Sequence, residues 1–124
     1  MRTFLLIGLG GALGAWARWG VSGVIAARWG GAFPLGTLLV NATGCFVIGF
    51  FLTLVAARFG DSASTRALVA TGFLGAYTTY STFSFETVTL LRDGEGLTAV
   101  GYIAASLLLG LAATAAGIVV ARVL

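Results

Sequence analysis

The chain has 124 residues, of which 59% are hydrophobic and only 9% are charged, and its formal net charge is +3. A soluble domain carries about 25% charged residues, so this composition argues against a soluble enzyme, a disordered chain and a nucleic-acid-binding domain. It indicates an integral membrane protein with little mass outside the bilayer.

The residue types also limit the kinds of site that the chain can form. It has no histidine and a single cysteine, Cys45, which lies in an apolar run and has no partner for an internal disulfide. A zinc or other transition-metal centre is therefore not expected. The seven basic residues are all arginines, and most of them bracket uncharged stretches, as at membrane surfaces.

Four stretches poor in charge predict four transmembrane α-helices, near residues 3–27, 35–58, 66–91 and 97–121, within one domain that covers residues 1–124. A helix needs about 20 mostly apolar residues to cross the hydrocarbon core. The runs are continuous rather than alternating, which favours helices over barrel strands. The first run also resembles a signal peptide that ends near Ala15-Trp16-Ala17, but an uncleaved first helix is the simpler interpretation.

Short connections separate the predicted helices. They contain the turn-forming pairs Gly30-Gly31, Gly60-Asp61 and Asp93-Gly94. Pro34 fits the start of the second helix. Ser62 or Ser64 is suited to cap the third helix, because a serine oxygen accepts from the first free N–H groups.

The first predicted helix carries a dense group of glycines and one charge. Gly8, Gly10, Gly11 and Gly14 predict a face that packs closely against another helix. Arg18 lies two-thirds of the way along this helix and stays protonated at any physiological pH. A fixed cation in the membrane attracts anions, although an arginine at this depth can also snorkel to the interface.

The second predicted helix contains one amide, Asn41, among apolar residues. Its side-chain NH₂ group can donate two hydrogen bonds. The residue is a candidate either for joining two helices or for contacting an ion.

The third predicted helix contains an unusual run of hydroxyl groups between residues 77 and 84, preceded by Gly72 and Gly75. Threonine and serine compete for backbone hydrogen bonds and weaken a regular helix. The pattern predicts an interruption at mid-membrane depth, where free carbonyls line a cavity and are able to hold a small cation. A regular helix with its hydroxyls bonded to the preceding turn is the alternative.

Polar and aromatic side chains share faces in the second half of this helix. Tyr80, Phe83 and Glu86 are three residues apart, and Ser81 and Ser84 lie on a neighbouring face. Aromatic ring edges carry partial positive charge. With hydroxyl donors they can replace part of an anion's hydration and still release it, as conduction requires.

The fourth predicted helix has one polar face, because Tyr102 and Ser106 are four residues apart. The arginines give only a weak preference for one orientation. Arg2, Arg58, Arg66 and Arg122 fall on one side, and Arg28 and Arg92 on the other. Insertion in both orientations and insertion with both termini in the cytoplasm are both compatible with this charge pattern.

At this point the sequence resembles a known family, the Fluc-type (CrcB-like) fluoride channels, over nearly its whole length. Three motifs carry the resemblance, in the family's order and spacing. They are Gly10-Gly11-x-x-Gly14-Ala15-x-x-Arg18, Pro34-x-Gly36-Thr37-x-x-x-Asn41-x-x-Gly44 and Gly72-x-x-Gly75-x-x-Thr78-Thr79-Tyr80-Ser81-Thr82-Phe83-Ser84-x-Glu86.

The resemblance implies an antiparallel, dual-topology homodimer of four-helix subunits in a prokaryotic inner membrane. Such channels export fluoride passively, with strong selectivity over chloride, and are not enzymes. The third helix is broken and holds a structural sodium ion through backbone carbonyls, which correspond here to Gly75 and Thr78. Fluoride, sodium and lipid are the implied partners, and a sister subunit of opposite orientation stays open.

The resemblance also assigns roles to side chains. Its pore residues fall on Asn41, Tyr80, Phe83, Ser81, Ser84, Glu86, Tyr102 and Ser106. Its vestibule arginine falls on Arg18. Tyr80 departs from the family's phenylalanine, and its added hydroxyl bears on the rate and the halide selectivity more than on the fold.

Two other classes of protein compete with a channel. Small proton-coupled multidrug transporters have a similar length and also contain four helices, but they need a carboxylate in the first helix, where this chain has Arg18 and no acid. Glu86 would have to take that role. A purely structural membrane subunit is the second alternative, and the row of hydroxyl groups in the third helix argues against it.

Overall fold

The computed structural model describes residues 1–58 and 62–124. All regular structure in these two ranges is helical. Among the described residues, three helices are long and apolar enough to cross a membrane: α1 at Arg2–Arg28, α2 at Leu35–Arg58 and α5 at Gly96–Val123. They correspond to the first, second and fourth predicted spans.

The third predicted span is a bent segment made of two helices. The first, α3, covers residues 63–77 and consists of an α-helical turn at Ala63–Thr65, a wider π-helical stretch at Arg66–Leu74 and a last α-helical turn at Gly75–Tyr77. The second, α4, is an α-helix at Tyr80–Arg92. The predicted interruption is confirmed, and the alternative of one regular helix is wrong.

Local sequence explains where these two helices begin and end. The Ser62 side chain caps α3 by accepting from the backbone N–H of Thr65 at 3.4 Å. Helical geometry stops at Thr78, where ψ is 158°. Thr79 is extended, with φ of −150°, and its side chain caps α4. The predicted turn through Gly60 and Asp61 lies outside the described residues.

The turn after α4 uses the backbone freedom of glycine. Gly94 has a φ of 81°, a conformation that residues with a Cβ rarely adopt. Its N–H donates to the Leu91 carbonyl at 3.3 Å, and the Glu95 N–H donates to the Leu90 carbonyl at 2.8 Å. These two bonds form a Schellman motif, which satisfies the last carbonyls of α4 and directs the chain into α5.

The helices pack in two close pairs that depend on glycine. α1 lies against α3, where a Cβ on Gly10 or Gly14 would collide with the backbone of Leu68 or Phe73. The predicted packed face is therefore confirmed for these two glycines. Gly8 and Gly11 face open space within this chain, so for them the packed face stays a prediction.

In the second pair, α2 lies against α5. A Cβ on Gly49 would meet the backbone of Thr114, and a Cβ on Gly117 would meet the backbone of Phe46. Small residues let helix backbones approach closely, and this is a main source of helix association in lipid.

A small core lies at one end of the bundle, and most apolar side chains point outward. The core contains Leu38, Leu90, Ala99 and Tyr102. Leu108 and Leu111 on α5 are 69% and 72% exposed. Outward-facing leucines on helices of this length are typical of a protein whose solvent is the lipid hydrocarbon.

Candidate functional site

The interruption between α3 and α4 is held in place by one side chain of α2. The Asn41 Oδ1 atom accepts from the backbone N–H of Thr79 at 2.7 Å, and the Asn41 Nδ2 atom donates to the Thr79 carbonyl at 3.0 Å. An amide side chain presents an acceptor and donors side by side, so it pairs with a peptide unit as another peptide would. The sequence leaves two roles open for Asn41, joining two helices or contacting an ion. The structure shows that Asn41 joins α2 to the break, and contact with an ion stays a prediction.

These bonds release two backbone carbonyls. In an uninterrupted helix the N–H of Thr79 would donate to the Gly75 carbonyl, and the N–H of Thr82 to the Thr78 carbonyl. The Thr79 N–H donates instead to Asn41, and the Thr82 N–H donates to Thr79 Oγ1 at 3.2 Å. The carbonyls of Gly75 and Thr78 are thereby deprived of their regular helical donors.

The released carbonyls are the two to which the resemblance assigns a structural sodium ion. Backbone carbonyls at an unwound helix end carry partial negative charge and are hard oxygen ligands, which suits a small monovalent cation. The donor chemistry of Gly75 and Thr78 therefore fits the ion.

A cavity of about 380 Å³ lies beside the break. Six of the predicted site residues contribute to its lining: Asn41, Gly75, Thr78, Tyr80, Phe83 and Ser106. The Ser106 hydroxyl is buried and has no hydrogen-bond partner among the described residues. A hydroxyl left without a protein partner beside a cavity is a ready donor for a bound anion or water.

A second polar cluster forms around Glu86. Its Oε1 atom accepts from the Thr37 hydroxyl at 2.8 Å, and its Oε2 atom accepts from the Tyr102 hydroxyl at 2.7 Å. The carboxylate of α4 thus joins α2 to α5 within the membrane-spanning part of the chain. Charged groups in this environment persist only when other groups bond to them.

Aromatic rings connect the cavity with the Glu86 cluster. The ring centroids of Tyr80 and Phe83 are 5.8 Å apart, and those of Phe83 and Tyr102 are 5.1 Å apart. Tyr102 is fully buried, whereas Tyr80 is 80% exposed. The predicted face of Tyr80, Phe83 and Glu86 is therefore present, and Tyr102 links its far end to α5.

Arg18 lies on the other side of α4. It contributes to a groove of about 460 Å³ that also contains Thr79, Thr82 and Glu86. This groove brings the half-buried residue Arg18 to the same surface as Thr79, Thr82 and Glu86. The structure thus separates Arg18 from the aromatic cavity and brings it to the Glu86 side.

Ser81 and Ser84 lie outside the lining of the aromatic cavity. The Ser84 hydroxyl donates to the Tyr80 carbonyl at 2.9 Å, and the Ser81 hydroxyl lies 3.2 Å from Thr79 Oγ1. Both side chains therefore bond within the α4 segment.

The sequence alone indicates no role for Thr37 or Thr79, which the structure places at the centre of the site. The Thr37 hydroxyl donates to Glu86. The backbone N–H and carbonyl of Thr79 are both hydrogen-bonded to the Asn41 side chain. A signal for Thr37 is its spacing, because it lies four residues before Asn41 and so on the same face of α2. Thr79 has no comparable signal, since its importance lies in its backbone.

The fold and the site define a class: a small multi-pass helical membrane protein with an interrupted, hydroxyl-rich helix beside a polar and aromatic cavity. The chain belongs to the CrcB-like protein family, described as Camphor Resistance (CrcB), whose model matches residues 5–118.

Curated relatives share nearly the whole length of this chain. A protein of Rhizobium etli (strain CIAT 652) is 47% identical over 124 residues, which cover 100% of this chain and 99% of the relative. One from Opitutus terrae is 49% identical over 115 residues, covering 91% and 87% of the two chains, and one from Paracoccus denitrificans is 48% identical over 121 residues, covering 98% and 95%. All three are named fluoride-specific ion channel FluC.

Proposed function

We propose that this chain is a fluoride-selective channel of the bacterial cell membrane, which lets fluoride leave the cell passively and protects it from fluoride toxicity. The Rhizobium etli relative that carries this name matches the chain end to end at 47% identity. No bond is made or broken in such transport, so the protein is a channel and not an enzyme.

The observation that carries the proposal is the gathering of anion donors around one cavity. Asn41 uses one N–H of its amide on the Thr79 carbonyl and has a second N–H for the cavity that it lines. Ser106 adds a hydroxyl that has no hydrogen-bond partner in the described part of the chain, and Tyr80 and Phe83 add ring edges. These are neutral donors, which bind a strongly hydrated anion without holding it permanently.

Two further features support movement of an anion past this cavity. Arg18 supplies a fixed positive charge in the neighbouring groove and would raise the local anion concentration, as expected for a vestibule residue. The hydroxyls of Thr37 and Tyr102 bind Glu86, so its negative charge is partly compensated and repels an approaching anion less. Ser81 would contribute through its hydroxyl group, which lies beside Thr79 at the break. Ser84 would contribute only after its hydroxyl leaves the Tyr80 carbonyl to which it donates.

We also propose that the chain crosses the membrane four times and that it assembles with a second copy of opposite orientation. The bent segment of α3 and α4 would be the third crossing in chain order, in addition to α1, α2 and α5. It exposes Tyr80, Ser81 and Thr82 next to freed backbone carbonyls, and lipid cannot satisfy such groups. A second copy would cover this face, and the weak arginine bias favours insertion in both orientations. A sister chain of opposite orientation would satisfy the same requirement.

The sodium ion belongs to the same proposal. The carbonyls of Gly75 and Thr78 would hold it at the end of α3. A bound cation would supply a fixed positive charge that neutralises these oxygens and ties the break together.

Fluoride efflux from liposomes tests the function. Purified protein is reconstituted into vesicles loaded with potassium fluoride or potassium chloride, a potassium ionophore carries the counter-ion, and electrodes follow each anion without a pH gradient. We expect rapid fluoride release with little chloride release, and no release from protein-free vesicles. Absence of fluoride release from folded protein would contradict the proposal.

The same vesicles distinguish a fluoride channel from a multidrug transporter. That alternative predicts uptake of a cationic drug driven by a proton gradient, with Glu86 as the proton carrier. The carboxylate of Glu86 is engaged by two hydroxyl groups from different helices, and α1 carries no acidic residue. The names of the three relatives, which are all called fluoride-specific ion channels, also support the channel.

A further inference from the structure

The last residue of α3 is tied to α2 by a hydrogen bond between two side chains. Tyr77 ends the helix directly before the break, and its phenolic oxygen lies 2.9 Å from Thr43 Oγ1. Neither residue belongs to the cavity lining or to the Glu86 cluster. The bond joins segments that lie 34 residues apart in the chain.

The surrounding contacts determine the direction of this bond. Thr43 Oγ1 lies 2.7 Å from the Leu39 carbonyl and 3.1 Å from the Val40 carbonyl, so its single hydrogen is directed to its own helix. Tyr77 is therefore the donor and Thr43 the acceptor. The threonine hydroxyl is held by α2 and offers a fixed point to the tyrosine.

The ring of Tyr77 is restrained on its other side by α3 itself. It stacks on Phe73, with ring centroids 5.9 Å apart and an interplanar angle of 9°. A ring that is stacked at one end and hydrogen-bonded at the other restricts the backbone that carries it. That backbone lies between Gly75 and Thr78, whose carbonyls the break releases.

Contacts with α2 thus hold the break on both sides. Asn41 binds Thr79 after it, and Thr43 binds Tyr77 before it. Between them the methyl group of Thr78 occupies space that Gly44 leaves open, where a Cβ would collide with it. A single short segment of α2 therefore fixes three consecutive residues of the break.

We propose that Tyr77 and Thr43 are a positioning pair that keeps the Gly75 and Thr78 carbonyls directed at the cation, an inference that rests on the proposed function. The pair does not contact the ion. Loss of the bond allows the last turn of α3 to rotate, which weakens cation binding while the helices stay packed through Gly10 and Gly14.

Sodium-dependent stability tests the pair without relying on transport. The thermal unfolding midpoint of the purified, detergent-solubilised protein is followed across a sodium titration in which N-methyl-D-glucamine replaces sodium. The variants are Tyr77→Phe, Thr43→Val and their combination. Thr53→Val is the matched control, because Thr53 makes the same bond to the preceding turn of α2, to the Gly49 carbonyl at 2.7 Å.

We expect the sodium concentration for half-maximal stabilisation to rise about threefold to tenfold in each single variant, the range for one interhelical hydrogen bond in a membrane protein. The double variant should equal the singles, since both remove the same bond. Thr53→Val should match the wild type, and Thr43→Ser, which keeps the hydroxyl, should restore the response.

Three results would contradict the positioning role. The first is a normal sodium response in Tyr77→Phe and Thr43→Val, and the second is a double variant whose half-maximal sodium concentration rises by the product of the two single changes. The third is a wild-type protein that sodium does not stabilise. Fluoride efflux from the same preparations separates this inference from the function. A wild type that conducts fluoride while the variants keep a normal sodium response contradicts only the positioning role. A wild type that releases no fluoride contradicts the function itself.

Discussion

The phenolic oxygen of Tyr102 lies 2.7 Å from Oε2 of Glu86. The fully buried tyrosine of α5 therefore donates a hydrogen bond to the single carboxylate of α4. The ring also contacts Phe83 and Phe33, with centroid distances of 5.1 Å and 5.5 Å. One side chain therefore connects the aromatic cavity, the buried core and the intramembrane charge.

Removal of the Tyr102 hydroxyl should weaken both the fold and fluoride transport. Tyr102→Phe keeps the ring contacts but leaves Glu86 with Thr37 as its described partner. A hydrogen bond to a charged group contributes about 1.5–3 kcal/mol, and we expect a loss of stability of that order. Chemical unfolding in detergent measures it, and fluoride efflux should slow in parallel.

A double-mutant cycle identifies the partner of this hydroxyl. Combining Tyr102→Phe with Glu86→Leu, which has no acceptor, should cost clearly less than the sum of the single effects, because the two side chains share one bond. Additive losses would show that the hydroxyl and the carboxylate act independently.

Replacement of Asn41 should cost stability as well as flux. Asn41→Ala removes two hydrogen bonds to the Thr79 peptide unit and leaves its N–H and carbonyl without those partners. An unsatisfied buried polar group costs about 1–3 kcal/mol. Thermal unfolding in detergent should report this loss, and Thr53→Val on the same helix should stay near the wild type. Wild-type stability in Asn41→Ala would show that the clamp is dispensable.

Replacement of Tyr80 and replacement of Phe83 should affect protein stability differently but should affect fluoride transport alike. Tyr80 is 80% exposed within one chain, so Tyr80→Ala should change the stability of the subunit fold by no more than about 0.5 kcal/mol. Any larger loss would come from the proposed contact with a second copy. Phe83 packs against the buried core, and Phe83→Ala should cost about 3 kcal/mol. Both should slow fluoride efflux if their rings line the pore. A wild-type rate in Tyr80→Ala would remove that ring from the conduction path.

Two glycines of α1 provide a test position and a matched control for the packing of α1 on α3. A Cβ on Gly14 would collide with the Phe73 carbonyl, and backbone cannot move aside as a flexible side chain can. Gly14→Ala should therefore destabilise the protein by about 1–3 kcal/mol. Gly11→Ala meets open space and should be neutral, or stabilising by about 0.5–1 kcal/mol through helix propensity. Equal effects at both positions in thermal unfolding would contradict this packing.

Features that depend on neighbouring residues could be predicted from the sequence. The positions of the long helices follow from hydropathy, and the interruption follows from Gly72, Gly75 and the adjacent hydroxyl run. The Ser62 cap is also local, since its acceptor and donor are three residues apart. The glycines of α1 were predicted only in part, because a count of small residues does not say which of them face α3.

The pairing of polar groups was beyond the sequence. Asn41 and Thr79 are 38 residues apart, and Thr37 and Glu86 are 49 apart. Each polar group has several possible partners, and a single sequence does not distinguish them. The amino-acid sequence alone determined that the chain lies in lipid, where its helices run and where one of them is interrupted. It could do so because partition into lipid and helix propensity are properties of short stretches of residues. Only the tertiary structure decided that α2 holds the break and that α5 supports Glu86, because hydrogen-bond partners are selected by the packing of distant helices.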